Sequence, residues 1–301
     1  MEKDTVLVSG ASGFLGRALC RDLLDRGFHV RGLGRKRDLV ESVSDRIEWF
    51  HCDLPDVVDE KAFSPNIRAF VHCAYETRFK TKEQAWRVNV DGSALMFQLC
   101  ESHSIGQRVF ISSFSAYKEA ISIYGHTKLA VENMLDLEKD TVLRPGHIIG
   151  PGGVFRRTVQ MISRLPFIPL FFGGRQPVQT IAVRDVCEAV WSVINRSLGG
   201  IYRVAEIKPI ELRQFYSHIA QAVGKRPVFA QIPGDTAFWA LRAAESMKIR
   251  LPLSSDNLLG LKRLRSFNVY EDLKRLRINP QPLLKTFEQL DWAFMRSDKP
   301  F

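Results

Sequence analysis

Tyr124 and Lys128 stand four positions apart in a segment with helical spacing, so both side chains lie on one helix face. A phenol with an ordinary pKa near ~10 is a poor acid–base group at neutral pH, and a nearby ammonium lowers that pKa. Such a pair suits proton transfer to or from an alcohol or a carbonyl oxygen. The Tyr-x-x-x-Lys spacing alone is common by chance, so its position in the fold decides its meaning.

Ser112 and Ser113 end an apolar run that precedes this segment. A hydroxyl at the carboxyl end of a strand lies where open α/β sheets bind ligands, and it can hydrogen-bond a reacting oxygen. Serines at strand ends also serve as ordinary capping groups. We predict a catalytic group of Ser113, Tyr124 and Lys128.

A glycine-rich turn follows the first apolar run and opens the first helical pattern. A dinucleotide pyrophosphate sits against such a helix start, where N–H groups and the helix dipole favour negative charge. The glycines permit the tight turn, the close approach of phosphate, and the packing of helix on strand. The alternative is a plain strand-to-helix turn. The predicted cofactor-binding residues of this turn are Gly10, Ser12, Gly13, Phe14, Leu15 and Gly16.

The end of the second predicted strand indicates which nicotinamide cofactor fits. An NAD site places an acid there for the ribose 2′-hydroxyl. This chain instead has Arg35 and Lys36, with no acid before Asp38, and both cations suit a 2′-phosphate. A solvated basic loop is the alternative. We therefore predict NADP(H), with Asp53 and Leu54 beside the adenine, although Asp53 is equally typical of a turn.

Short β-rich runs alternate with longer helical patterns in the first half of the chain. The predicted strands cover 5–8, 29–33, 47–50, 68–74, 107–112 and 141–143, and the predicted helices cover 14–26, 84–102 and 124–137. This alternation predicts an α/β protein with a Rossmann-type, doubly wound parallel sheet.

The composition changes after residue 145, where glycines and prolines cluster. They predict loops and short elements up to about residue 177. Helical patterns return at 183–197, 210–223 and 238–249. We predict an NADP-binding domain over residues 1–150. A smaller, partly helical substrate-binding region covers 151–301, with the chain returning to the sheet domain near 178–197.

Taken together, these motifs resemble the extended short-chain dehydrogenases/reductases, in the NAD-dependent epimerase/dehydratase family. Each motif is modest, and their number and order along nearly the whole chain make the resemblance specific. Besides the glycine turn and Tyr124-Gly125-His126-Thr127-Lys128, the matching segments are 53–54, 71–74, 89–92, 110–113, 143–146, 150–151, 183–186 and 276–280.

The resemblance implies roles for individual residues. Tyr124 is the acid/base, Lys128 binds the nicotinamide ribose and lowers the tyrosine pKa, and Ser113 polarises the substrate oxygen. Cys73 and Ala74 line the cofactor cleft, beside His72, which is more typical of a packed histidine than of a catalyst. The resemblance also implies a homodimer. Hydride transfer between nicotinamide and a secondary alcohol or ketone is the expected reaction.

Two departures from the family pattern narrow the reaction. Ser113 is followed by Phe114 and Ser115 where dehydratases of the family carry Asp-Glu, which disfavours dehydration. Val178 stands where nucleotide-sugar epimerases carry an arginine for the substrate diphosphate; Arg175 and Arg184 are the nearby substitutes. Epimerisation through a transient keto intermediate and a non-catalytic NADPH-binding sensor stay open as alternatives.

The charge and cysteine content of the chain limit the kinds of partner that are expected. The 301 residues carry 43 basic and 33 acidic side chains, a net charge of +10, without a nucleic-acid-binding motif. The five scattered cysteines favour a reducing cytoplasm over disulfides or zinc, and we expect no metal.

Residues 235–251 form a mildly basic amphipathic pattern, typical of a core helix and, less often, of a membrane-surface contact. An apolar substrate is expected if these side chains line the cleft: Phe155, Phe167, Ile168, Leu170, Phe171, Phe172, Phe238 and Trp239.

Overall fold

Alternate side chains of the first strand enter two different cores, which is the mark of a sheet covered on both faces. The structure is a computed structural model that describes residues 4–35, 46–77, 79, 81–247, 249 and 254–297. Val6 and Val8 pack on one face of the sheet and Leu7 on the other, all three fully buried. The continuous apolar run therefore reflects burial on both sides.

The described strands are β1 (Thr5–Ser9), β2 (His29–Gly34), β3 (Ile47–Asp53), β4 (Val57–Val58), β5 (Ile67–His72), β6 (Gln107–Ile111), β7 (Thr141–Pro145), β8 (His147–Ile149), β9 (Ile168–Phe171), β10 (Pro177–Val178), β11 (Thr180–Ala182), β12 (Gly200–Val204), β13 (Ile210–Glu211) and β14 (Phe229–Ile232). The described helices are α1 (Phe14–Asp25), α2 (Lys82–Trp86), α3 (Gly92–Ser102), α4 (Ile123–Glu132), α5 (Gly153–Arg164), α6 (Val183–Asn195), α7 (Leu212–Ala222), α8 (Gly234–Ser246), α9 (Ser255–Lys262), α10 (Tyr270–Leu276), α11 (Leu283–Glu288) and α12 (Trp292–Arg296). A π-helical turn, Arg87–Asp91, joins α2 to α3.

The main sheet has the order β12-β7-β6-β5-β1-β2-β3-β4 within the described residues, and only β4 pairs antiparallel. The strand order reverses at β1, which lies between β2 and β5. In open α/β sheets, ligands bind at such a switch point, outside the carboxyl ends of the strands. The fold is α/β with a Rossmann-type parallel sheet, as predicted from the alternation of elements.

Elements from the second half of the chain complete the first core. Helix α6 contributes Val186, Val190 and Val193 to the core that holds Val6 and Val8, and α10 adds Leu273. Strand β12 extends the parallel sheet beside β7. The division at residue 150 stays a prediction, and chain from well beyond it packs on the sheet.

Two smaller cores lie in the C-terminal half. One packs α5 and α7 together through Phe155, Val159 and Phe215; the other, beneath α8 and α9, has Ala237 and Leu258. Within the described part of the chain, no helix is both long and apolar enough to cross a membrane.

Two predictions about elements were wrong. The stretch 151–177 contains the twelve-residue helix α5, because Phe155, Val159 and Ile162 bury one helical face despite the flanking glycines and prolines. The helix predicted over 124–137 ends at Glu132, and turns follow up to β7. In both cases tertiary packing outweighs local composition.

Candidate active site

The glycine turn after β1 adopts a backbone that only glycine accepts without strain. Gly10 has φ +68°, and a Cβ there would lie 2.8 Å from the N and Cα of Ala74. A Cβ at Gly16 would lie 2.1 Å from the Gly10 carbonyl oxygen, so α1 packs directly on the turn. In the described residues no side chain caps α1, whose start follows the extended Gly13. This cradle fits a phosphate group against the helix start.

The other predicted residues of the turn differ in where their side chains lie. Ser12 Oγ lies beside the end of β2, 3.0 Å from where a Cβ of Gly34 would stand. The Phe14 ring packs against the backbone of Gly152 and its neighbours, and Leu15 packs on the first core. Phe14 and Leu15 therefore offer a ligand their backbone rather than their side chains.

Arg35 ends up at the carboxyl end of β2, and its side chain is 65% exposed. Its guanidinium lies 3.3 Å from the Glu76 carboxylate, which follows β5. Lys36 lies outside the described residues. Asp53 ends β3 with an exposed side chain and opens a turn, whereas Leu54 packs against the second core beside Gly92. Of the two predicted cations, Arg35 is therefore the one that the structure describes, and it lies at the place expected for a 2′-phosphate.

The chain after β5 crosses directly over the glycine turn. The Cys73 N–H donates to the Ser9 carbonyl at 3.2 Å, and the Ala74 N–H donates to Ser9 Oγ at 3.4 Å. Burial raises the pKa of the Cys73 thiol, so it stays neutral. His72 is fully buried between Ser9 Oγ (2.6 Å) and Ser93 Oγ (2.8 Å), and burial lowers its pKa to about 3. His72 is therefore neutral, with both ring nitrogens hydrogen-bonded, which is typical of a structural residue.

The Ser113 side chain lies beside that of Tyr124, where its hydroxyl favours the ionised phenol. Ser113 follows β6, and Tyr124 lies in the first turn of α4, which Ser122 caps by accepting the Gly125 N–H at 3.1 Å. The pKa of Tyr124 is raised, because burial disfavours the phenolate more than the Ser113 hydroxyl favours it. The phenol is therefore a proton donor at neutral pH.

Lys128 lies one turn further along α4 and is 4% exposed. Its ammonium donates to the Ile111 carbonyl at 2.6 Å and lies 4.5 Å from the Tyr75 ring centroid and 4.6 Å from that of Phe110. Burial lowers its pKa to about 7. The sequence predicts that Lys128 lowers the pKa of Tyr124. In the structure, burial outweighs the effect of Ser113, and the pKa of Tyr124 is raised.

Tyr75 is a site residue that the sequence analysis missed. Its ring meets the Tyr124 ring edge-on with centroids 5.0 Å apart, and its hydroxyl shares a hydrogen bond of 2.7 Å with Thr127 Oγ1. It therefore contacts both Tyr124 and Lys128. Its position two residues beyond Cys73, at the carboxyl end of β5, is the signal that could have identified it.

A buried ion pair braces the strands beneath the site. Glu132 accepts hydrogen bonds from Ser112 and from Arg144, whose Nε lies 2.9 Å from Glu132 Oε1. Glu132 and Ser112 are 4% and 3% exposed. Arg144 therefore ties β7 to α4.

The aromatic and aliphatic side chains that were predicted to line a pocket occupy three kinds of position in the structure. Phe155, Ile168 and Leu170 are core residues, whereas Phe167 and Trp239 are 43% and 70% exposed. Phe171, Phe172 and Phe238 pack around the core of α8 and α9.

Across the described residues, no group of three or more His, Cys, Asp or Glu side chains is placed to hold a metal ion.

Comparisons with known proteins agree with this geometry. The model of the NAD dependent epimerase/dehydratase family matches residues 6–205. The chain is 26% identical to the ceramide reductase of Caulobacter vibrioides, over 77% of this chain and 74% of that protein. It is 22% identical to the 3 beta-hydroxysteroid dehydrogenase/Delta 5-->4-isomerase of Mycobacterium tuberculosis, over 96% of this chain and 89% of that protein.

Among solved structures, the UDP-glucuronic acid 4-epimerase of Bacillus cereus, in complex with UDP-glucuronic acid and NAD, superposes with a TM-score of 0.75 at 17% identity. The match covers 97% of this chain and 99% of that chain, and it shows the shared fold. The parallel sheet, the glycine turn and the family match lead to one conclusion: the chain is an enzyme of the NAD-dependent epimerase/dehydratase family, within the extended short-chain dehydrogenases/reductases.

Proposed function

We propose that this enzyme is an NADP(H)-dependent oxidoreductase that interconverts a secondary alcohol and a ketone. The observation that carries the proposal is the position of Ser113 beside Tyr124, with buried Lys128 one helical turn away. This group lies after β6, two strands from the glycine turn after β1. A proton donor thus stands on the same sheet edge as a phosphate cradle.

The chain's own residues divide the work of a ketone reduction. A bound nicotinamide supplies the hydride. Tyr124 donates its phenolic proton to the carbonyl oxygen as negative charge develops there, and the raised pKa keeps that proton in place at neutral pH. Ser113 hydrogen-bonds the same oxygen. Lys128, one turn along α4 from Tyr124, would hold the nicotinamide ribose through its ammonium.

NADP(H) is the proposed cofactor because of the charge at the end of β2. Arg35 is largely exposed there, and Lys36 and Arg37 follow it in the sequence, whereas Arg31 lies within β2 and pairs with Glu48. A guanidinium binds phosphate oxygens through charge-assisted hydrogen bonds. A bound 2′-phosphate would compete with the Glu76 carboxylate for this guanidinium.

The proposed substrate is a largely apolar ketone or alcohol. The names of several relatives describe such molecules: ceramide reductase, a hydroxysteroid dehydrogenase, and the 2-alkyl-3-oxoalkanoate reductase of Stenotrophomonas maltophilia, which is 24% identical over 77% of this chain. Nucleotide-sugar epimerisation is less supported, because Val178 is buried in the α5–α7 core and carries no charge for a diphosphate. Arg184 is bound to Gln281 instead.

Substitution of Tyr124 by phenylalanine tests the proposal. In a panel of alkyl, steroid and sphingoid ketones followed by NADPH absorbance, Tyr124→Phe should lose at least ~100-fold in kcat and keep its NADPH affinity. Tyr270→Phe, a matched change at an exposed tyrosine of α10, should behave as the unmodified enzyme. Turnover that survives Tyr124→Phe contradicts the assignment.

The stoichiometry of cofactor use separates the alternatives. Net NADPH consumption with product supports a reductase. Turnover of a nucleotide sugar without net cofactor change supports an epimerase, and tight NADPH binding without turnover of any substrate supports a sensor.

A further inference from the structure

Helix α4, which carries Tyr124 and Lys128, is capped by a carboxylate from a distant part of the chain. Asp256 accepts hydrogen bonds from the N–H groups of Ile123 at 2.6 Å and Tyr124 at 3.3 Å. Ser122 supplies the local cap by accepting the Gly125 N–H. Asp256 therefore satisfies backbone donors that would otherwise have no helical partner.

Asp256 is held in place by the unit formed by α8 and α9. Its neighbour Ser255 donates through both its N–H (2.7 Å) and its hydroxyl (2.8 Å) to Glu245 of α8. Leu258 of α9 is 1% exposed and packs with Leu241 of α8. A movement of this unit would therefore carry the Asp256 carboxylate with it.

We infer that Asp256 is a positioning residue for Tyr124, which links the α8–α9 unit of the C-terminal half to the acid/base group; this rests on the proposed function. The backbone of Tyr124 is fixed by Asp256, and its ring packs edge-on against that of Tyr75. Loss of the Asp256 contact frees the first turn of α4. A shift of about 1 Å in a reacting group costs up to roughly 100-fold in rate.

The charge of Asp256 also reaches the site. Burial raises the pKa of Tyr75, whose ring touches Tyr124, and the Asp256 charge adds a smaller effect in the same direction. The charged groups that act on Asp256 are Glu245 of α8 and His126 of α4. A negative charge near the helix start opposes ionisation of the Tyr124 phenol, so removal of that charge should lower the pKa of Tyr124.

The experiment compares Asp256→Ala and Asp256→Asn with Asp291→Ala and Asp291→Asn. Asp291 caps the short helix α12 by accepting the Phe294 N–H at 2.9 Å, so it matches the capping chemistry outside the site. Asp256→Ala should lose roughly 10- to 100-fold in kcat with its Kd for NADPH unchanged. Asp256→Asn should recover part of that loss, because an amide oxygen still accepts one N–H. The Asp291 variants should lose only stability.

A second readout does not depend on turnover. The titration of Tyr124, followed by NMR of ring-labelled tyrosine and assigned with Tyr124→Phe, should move to lower pH in Asp256→Asn and stay fixed in Asp291→Asn. An unmoved titration, or activity losses that match those of the Asp291 variants, overturns the inference. Turnover that survives Tyr124→Phe instead overturns the proposed function, whatever Tyr124 does in the titration.

Discussion

Buried Lys128 makes the stability of the enzyme depend on pH. Its pKa is about 7 in the folded chain and near ~10.4 when unfolded. Between these values the unfolded chain binds a proton that the folded chain does not, so the free energy of unfolding rises with pH. Lys128→Met should remove this rise and stabilise the fold by a few kcal/mol below about pH 7.

Urea unfolding at about pH 6 and about pH 9 measures this effect. Lys118→Met, a matched change at an exposed lysine, should leave the pH dependence as it is. If Lys128→Met retains the full rise of stability with pH, the ammonium is not the group responsible.

Arg35 should determine the preference between the two nicotinamide cofactors. Arg35→Ala removes a charge-assisted bond worth about 1.5–3 kcal/mol, which corresponds to roughly a 10- to 100-fold higher Kd for NADPH. The Kd for NADH should change little, because NADH has no 2′-phosphate. Fluorescence titration with both cofactors checks this, and Arg46→Ala serves as a control at another exposed arginine. An equal loss for both cofactors would contradict a role at the 2′-phosphate.

At the scale of the element, the glycine turn ties β1 to α1 through backbone contact. A Cβ at Gly16 has no room beside the Gly10 carbonyl, whereas a Cβ at Gly260 in α9 meets no atom within 4 Å. Gly16→Ala should therefore destabilise the fold by roughly 1–3 kcal/mol and weaken NADPH binding. Gly260→Ala should stabilise it by about 0.5–1 kcal/mol. Thermal unfolding with and without NADPH compares the two, and equal effects would contradict the packing argument.

Elements that are buried on both faces could be predicted from the sequence, and those that depend on distant partners could not. The apolar run of β1 and the alternation that follows it predict the parallel sheet. Strand β12 was missed because it begins at Gly200, contains Arg203, and pairs only with β7. Its strand character comes from that pairing rather than from its own composition.

The candidate site divides in the same way. Ser113, Tyr124 and Lys128 form a recognisable spacing, and the glycine turn lies between a strand and a helix. The contact of Tyr75 with Tyr124 depends on how β5 ends, and Asp256 meets Tyr124 across 132 positions of sequence. No local pattern encodes a contact of that range.

At the scale of the whole molecule, the buried core is unevenly distributed. Helix α6 buries residues such as Val186, Val190 and Ile194 in the first core. Among the described residues, the core beneath α8 and α9 has three buried side chains: Ala237, Leu241 and Leu258. Amides of α8 should therefore exchange with solvent faster than amides of α6. Hydrogen-exchange mass spectrometry checks this, with α1 as a region that NADPH should protect. Equal protection of α8 and α6 would contradict the expectation.

The first core also bears on how the enzyme is made. Val269, Leu273 and Leu276 belong to it, although β1 lies near the N-terminus. During synthesis the first core is thus left incomplete until Leu276 has been made. A fragment ending at residue 150 would expose the edge of β7, where β12 pairs in the folded chain, and unpaired strand edges aggregate. We expect such a fragment to stay in solution only when the remaining residues are supplied as a second polypeptide.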